Sequence, residues 1–372
     1  MPLTDIDGQR LGDSVADKLG NRNLIINGAM QVAQRGTSFT SQTSGAYYLD
    51  RFQAHTFNLG SGVYRVDQST DAPDGFEKSF KLSCTTAEGS TNANAQMSVY
   101  QALEGYDTSF LKYFQANPDT VTISFYVKSN RTGTFSAALK LSDNGSYWGD
   151  GSTRIYNFTY SISTADTWER KTASITLDSA TTETKVINEN FAVAIQWWQL
   201  AGTSRDGATA NSWVNNTNVA TDSDNLRLLE STNNNWFITG VQLEVGNTAT
   251  PFEHRSYGDE LSRCHRYYWQ QDASSNYARY GIVSVESATA AETVIHLPTT
   301  MRIPPALLHG TVGNSVVYSA LGLYAATALA MDNTTVNAVC VAITSSGMTG
   351  GRAGTFLSNN TTDFYLAFNA EL

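Results

Sequence analysis

The residues that could carry chemistry are few and scattered. Five histidines (His55, His254, His265, His296 and His309) show no paired spacing such as HExxH, so a helix-borne metal pair is not expected. Cys264 adjoins His265, but neighbours on a strand point to opposite faces, which disfavours a thiolate–imidazole dyad. There is no GxSxG elbow and no glycine loop that would cradle a phosphate. The three cysteines, Cys84, Cys264 and Cys340, are odd in number and far apart, and make neither a disulfide framework nor a zinc site. Cys84 and Cys340 alternate with apolar neighbours and read as buried free thiols of a chain folded in a reducing compartment. "DNGSYWGDGS" has the acids and glycines of a calcium loop but lacks the final glutamate of an EF-hand, and a plain turn is the simpler reading. Glycoside hydrolysis needs two carboxylates across a cleft, and no motif singles out such a pair among 34 acidic residues. The expectation is a protein that is not an enzyme, with no metal and no cofactor.

Aromatic side chains say more. In "TISFYVKSN", Ile123, Phe125 and Val127 share one strand face, and Ser124, Tyr126 and Lys128 share the other. In "NFAVAIQWWQLAG", Phe191, Val193, Ile195 and Trp197 form an apolar face. Ala192, Ala194, Gln196 and Trp198 form the second, so Trp198 is expected to lean toward solvent or a partner. A flat ring beside amides and hydroxyls can cover the C–H face of a sugar while its neighbours bind the hydroxyl groups. Tyr126, Tyr147, Trp148 and Trp198 are therefore the candidate glycan-binding residues. The competing reading covers each of them with a loop or another subunit.

The elements that must position these rings are strands. Short runs such as "SGVYRVDQS", "FKLSCTT", "AQMSVYQALEG", "GTFSAALKLSD" and "NWFITGVQLEVG" alternate apolar and polar residues between Gly, Asn, Asp and Ser turns. Only "YDTSFLKYFQANPD" and "YGDELSRCH" have helical spacing. Of the 372 residues 41% are hydrophobic and only 16% charged, with 18 Tyr, 16 Phe and 7 Trp, a composition that suits sheets. The fold class is all-β: a short N-terminal anchor over residues 1–22, a jelly-roll β-sandwich over 23–255, and a smaller C-terminal β-sandwich over 256–372. Pro251 cannot donate to a ladder and marks the end of the larger sandwich. In the anchor, Leu11, Val15 and Leu19 form a narrow apolar stripe suited to a partner surface. The net charge of −10, with no basic cluster, argues against nucleic acid as a ligand. No apolar run approaches the ~20 residues of a membrane span, and the N-terminus lacks the apolar core of a secretory signal.

"NLIINGAMQVAQRGTSF" followed by "YYLDRF", then "TISFYVKS" with "GTFSAAL", and finally "GVQLEVGNTATPFEHRSYGDELSRCHRYY" together resemble tail-fibre and other virion appendage proteins of tailed bacteriophages. The resemblance spans residues 23 to about 270. It implies a jelly roll similar to carbohydrate-binding modules, display on the outside of a virion assembled in the host cytoplasm, and a homotrimer. The implied partners are other tail or capsid proteins, held through the N-terminus, and a host-surface polysaccharide. The long apolar stretch "SVVYSALGLYAATALAM" adds a physical reason to expect copies packed together. The alternative is a purely structural virion protein, a decoration or joint, that never meets the host. A tailspike-like depolymerase is disfavoured by the absence of β-helix repeats.

Overall fold

A computed structural model describes residues 22–42, 46–146, 153–215, 220–221, 227–319 and 322–372. Leu11, Val15, Leu19, Tyr147 and Trp148 lie outside the described residues. The chain divides into two compact units, one up to Tyr257 and the other Gly258–Glu371. Both are built almost wholly of antiparallel strands, and the chain is all-β.

The first unit has thirteen strands. They are β1 (Ser38–Gln42), β2 (Ala46–Tyr47), β3 (Gln53–Phe57), β4 (Val63–Ser69), β5 (Ser79–Thr86), β6 (Gln96–Glu104) and β7 (Thr120–Ser129). β8 (Gly133–Ser142), β9 (Thr153–Ile162), β10 (Glu169–Thr176), β11 (Phe191–Ala201), β12 (Trp213–Asn215) and β13 (Asn235–Val245) follow. A six-stranded sheet, β1-β4-β5-β13-β7-β10, faces a seven-stranded one, β12-β9-β8-β11-β6-β3-β2. One core joins them, in the manner of a jelly-roll sandwich. Across it Phe125 meets Trp197 edge-on at 5.6 Å, and Trp236 Nε1 donates to Tyr160 Oη at 3.2 Å. "YDTSFLKYFQANPD" yields only one helical turn, α1 (Gly105–Thr108).

The opening "NLIING" and the closing "TPFEHR" are stitched to the same strand. Asn23 Nδ2 donates to Val241 O (3.0 Å), and its Oδ1 accepts from Leu243 N (3.1 Å). Gly28 lies so close that a Cβ would stand 2.2 Å from Val241 O, which leaves no room for a side chain. From the closing side, Glu253 takes Asn23 N at 2.7 Å, and Arg255 Nη1 donates to Ile25 O at 3.0 Å. The two ends of the unit thus lock one another, which accounts for the joint occurrence of these segments in one chain.

In the second unit α2 (Tyr257–His265) leads to β14 (Tyr268–Asp272), β15 (Arg279–Val285), β16 (Ala290–His296), β17 (Ala306–His309) and β18 (Ser315–Ser319). β19 (Gly322–Ala325), β20 (Ala328–Asp332), β21 (Ala338–Thr344), β22 (Arg352–Ser358) and β23 (Tyr365–Asn369) complete it. The seven-stranded order is β19-β18-β22-β15-β16-β21-β20, and β14-β23-β17 forms a second, three-stranded sheet on the same core. β19 and β20 occupy opposite ends of the larger sheet, yet only Ala326 and Thr327 separate them. Three peptide steps reach at most about 11 Å, so the sheet must curl until its edges nearly meet. At the crossing, Ala326 N bonds Ser315 O on β18 and Thr327 N bonds Thr344 O on β21. The stretch "SVVYSALGLYAATALAM" is therefore three short strands, and its Tyr318 and Leu323 point outward and are about half exposed. Cys84 and Cys264 are buried, whereas Cys340 is half-buried and outward-facing, its Sγ 3.7 Å from Glu292 Oε2.

Candidate functional site

The outer face of the six-stranded sheet carries an open cluster of rings. β7 turns Ile123, Phe125 and Val127 into the core and sets Ser124, Tyr126 and Lys128 on the outside. Register then fixes Tyr126 beside Thr239 on β13 and Arg170 on β10. It also fixes Lys128 beside Phe237, with Lys81 of β5 on that ring's far side.

Two connections reach over this face. The β4–β5 loop is shaped by Ser79 Oγ donating to Asp71 O (2.6 Å) and Phe76 N to Pro73 O (3.0 Å). It sets the Phe76 ring 5.3 Å from Tyr126, 5.0 Å from Phe252 and 5.3 Å from His254, centroid to centroid. Phe252 and His254 come from the closing segment. That segment is fastened to outward side chains of β13, Thr250 N to Glu244 Oε1 at 3.0 Å and Glu253 N to Gln242 Oε1 at 2.8 Å. Phe76, Tyr126 and Phe252 are half-buried, and His254 is exposed.

Beneath this quartet β13 bulges between Thr239 and Gln242, with Gly240 at φ +60°. Non-glycine residues seldom adopt that conformation, and the bare backbone leaves room for two rings.

Two strand positions further along, Trp168 and Phe237 sit edge-on at 6.1 Å. Lys128 Nζ lies 4.6 Å from the Phe237 centroid and 5.4 Å from that of Trp168, and Lys81 Nζ lies 5.2 Å from Phe237. Asp71 accepts from Lys128 Nζ and, at 3.0 Å, from Trp168 Nε1. Burial pushes the Asp71 carboxyl up, but those hydrogen bonds and the charges of Lys128 and Lys81 outweigh it and hold it below the usual carboxylate range. The face thus combines ring surfaces with a carboxylate, two ammonium groups and a guanidinium. That is the chemistry needed to lay an apolar sugar face on a ring and to bond its hydroxyl groups.

Trp198 does not join this face and does not lean toward solvent. It is fully buried, and every residue of β6 and β11 is buried on both faces. The chain after β11 returns over the outward side of that sheet. Ala220 is fully buried in the cluster that holds Trp198, and Thr221 N donates to Ser136 Oγ at 3.0 Å. Alternation with Ala194 and Gln196 marks a face of small and polar residues, not a solvated one. Phe76, Trp168, Phe237, Phe252 and His254 escaped sequence reasoning. Only Phe237 left a signal, as the odd member of the alternating run "WFI" ahead of Gly240. Among the described residues, no three His, Cys, Asp or Glu side chains gather as a metal site would require.

No protein-family model matches the chain, and no curated protein matches it. Among solved structures, the enzymatically active domain of tailspike protein 4 of bacteriophage CBA120 overlaps 61% of the chain at 12% identity, TM-score 0.28; the overlap takes in 22% of the tailspike chain. The CBM22-1 xylan-binding domain from Paenibacillus barcinonensis overlaps 57% of the chain and 94% of its own length, at 12% identity and TM-score 0.28. A family 11 carbohydrate-binding module from Clostridium thermocellum overlaps 57% and 96%, at 9% identity and TM-score 0.28. Overlaps this shallow assign neither a family nor a ligand.

Proposed function

We propose that this chain is a non-enzymatic appendage protein of a tailed-bacteriophage virion, and that its sandwich binds a host-surface glycan on the outer face of the six-stranded sheet. The observation that carries the binding half is the partly open ring cluster of Phe76, Tyr126, Phe252 and His254, beside Asp71, Lys81, Lys128 and Arg170. The virion half rests on the resemblance of residues 23 to about 270 to such proteins. Display as a homotrimer would multiply weak single-site binding by linkage. Residues 1–22, with Leu11, Val15 and Leu19, would dock on another tail or capsid protein.

The test is binding of the purified chain to a glycan array and to whole host cells, with its mass in solution measured on the same sample. Binding by a trimer supports the proposal; a folded chain that binds no glycan and no cell overturns the receptor role. Particles that still incorporate a chain lacking residues 1–22 would refute the anchoring role.

A second reading is favoured by one observation: Phe252 and His254 belong to the closing segment, so the rings also fasten it to the sheet. A purely structural virion component would need no more than that.

A further inference from the structure

We infer that the glycan taken by this face is anionic, a polysaccharide bearing carboxylate or sulfate groups; the inference rests on the carbohydrate reading above and narrows its ligand. The chain carries a net charge of −10, and such a surface repels an acidic polymer. The ring-bearing face departs from that balance.

Lys81, Lys128 and Arg170 all stand on its outer side, placed there by register with Phe237 and Tyr126. Asp71 is the acid that reaches them. Two further pairs on the sheet cancel: Arg65 with Asp67 at 2.8 Å, and Arg22 with Glu244 at 3.4 Å. Asp74, Glu77 and Lys78 in the β4–β5 loop subtract one charge. The face keeps a positive excess while the whole chain is strongly negative.

The cations are also disposed for a bound anion. Lys81 and Lys128 flank Phe237 from two strand spacings apart, roughly 10 Å, so a sugar over that ring would lie between two ammonium groups. Lys128 is already engaged by Asp71, which leaves Lys81 as the nearer partner for an incoming acid. Arg170 is exposed beside Tyr126. Its Nη2 is held by Thr250 O at 2.6 Å, and the guanidinium keeps further donors that a carboxylate can meet in a forked pair. Rings that bind the neutral part of a sugar and cations that bind its acidic substituent are thus side by side on one face.

The experiment is an affinity series on the full chain with polygalacturonate, alginate and chondroitin sulfate, each beside carboxyl-reduced polygalacturonate and dextran as neutral probes. We expect the acidic probes to bind at least about tenfold more tightly than the neutral ones, with the advantage shrinking as NaCl rises from about 0.05 to about 0.5 M. Lys81→Gln should remove much of that advantage, and Lys81→Arg should restore it. Thermal melts of both variants separate lost charge from lost fold. Neutral probes that bind as well as acidic ones, insensitive to salt and to Lys81→Gln, overturn the inference and leave the carbohydrate reading standing. Binding to no probe at all, by a folded chain, overturns both.

Discussion

Phe76 lies directly over Gly240: a Cβ added to that glycine would stand 2.6 Å from Phe76 Cζ and 2.9 Å from Tyr126 Cδ2. The backbone there is also left-handed, which an alanine adopts at a cost. Gly240→Ala should therefore destabilise the first unit by about 1–2 kcal/mol and lift Phe76 off the sheet. A chemical denaturation curve reads the first effect, and a fall in glycan affinity for the same variant reads the second.

Tyr126→Ala and Phe76→Ala separate the two readings of the ring cluster. Losing one stacking ring from a sugar platform should weaken binding by about 1 kcal/mol, several-fold in Kd, with the melting temperature nearly unchanged. If the rings serve only to fasten the closing segment, the melting temperature falls and no ligand is lost. Calorimetry and a binding isotherm on one preparation decide the matter.

Trp198→Ala should be a stability mutant. The indole is wholly enclosed, and large-to-small changes at such positions cost about 3–5 kcal/mol. Affinity for glycan, measured below the lowered melting point, should stay at the parent value. A selective loss of affinity with stability intact would contradict the placement of this residue.

The first unit should also weaken in mild acid. Burial, reinforced by the charge of Lys140, lowers the His55 pKa from 6.5 to about 4. A histidine held neutral by the fold contributes stability that is complete above pH ~6.5 and is lost as the pH falls toward 4. The loss from this residue is at most about 3 kcal/mol. Denaturant midpoints between pH 7.5 and 4 should fall along that window for the parent and less steeply for His55→Gln.

How much of this was legible in the sequence varied from strand to strand. β7 could be read because one of its faces is partly open, so Ser124, Tyr126 and Lys128 alternate cleanly with Ile123, Phe125 and Val127. β11 could not, because a segment that follows it in sequence covers the second face, and burial then leaves no polar alternation to read. Phe76, Phe252 and His254 come from loops far apart in the chain, and periodicity is silent on where loops meet. The end of the larger sandwich was marked by Pro251, a local signal; the stitching of Glu253 and Arg255 to Asn23 and Ile25 is not local.

The two-residue step from Ala325 to Ala328 has a bearing on how copies of this chain tolerate crowding. A sheet left open would offer neighbouring molecules a full-length border of unpaired amides and carbonyls, the template from which strand-to-strand polymers grow. Here the terminal strands have only four and five residues, and one continuous turn of chain uses them both. Many copies could be held close together without one sheet extending into the next.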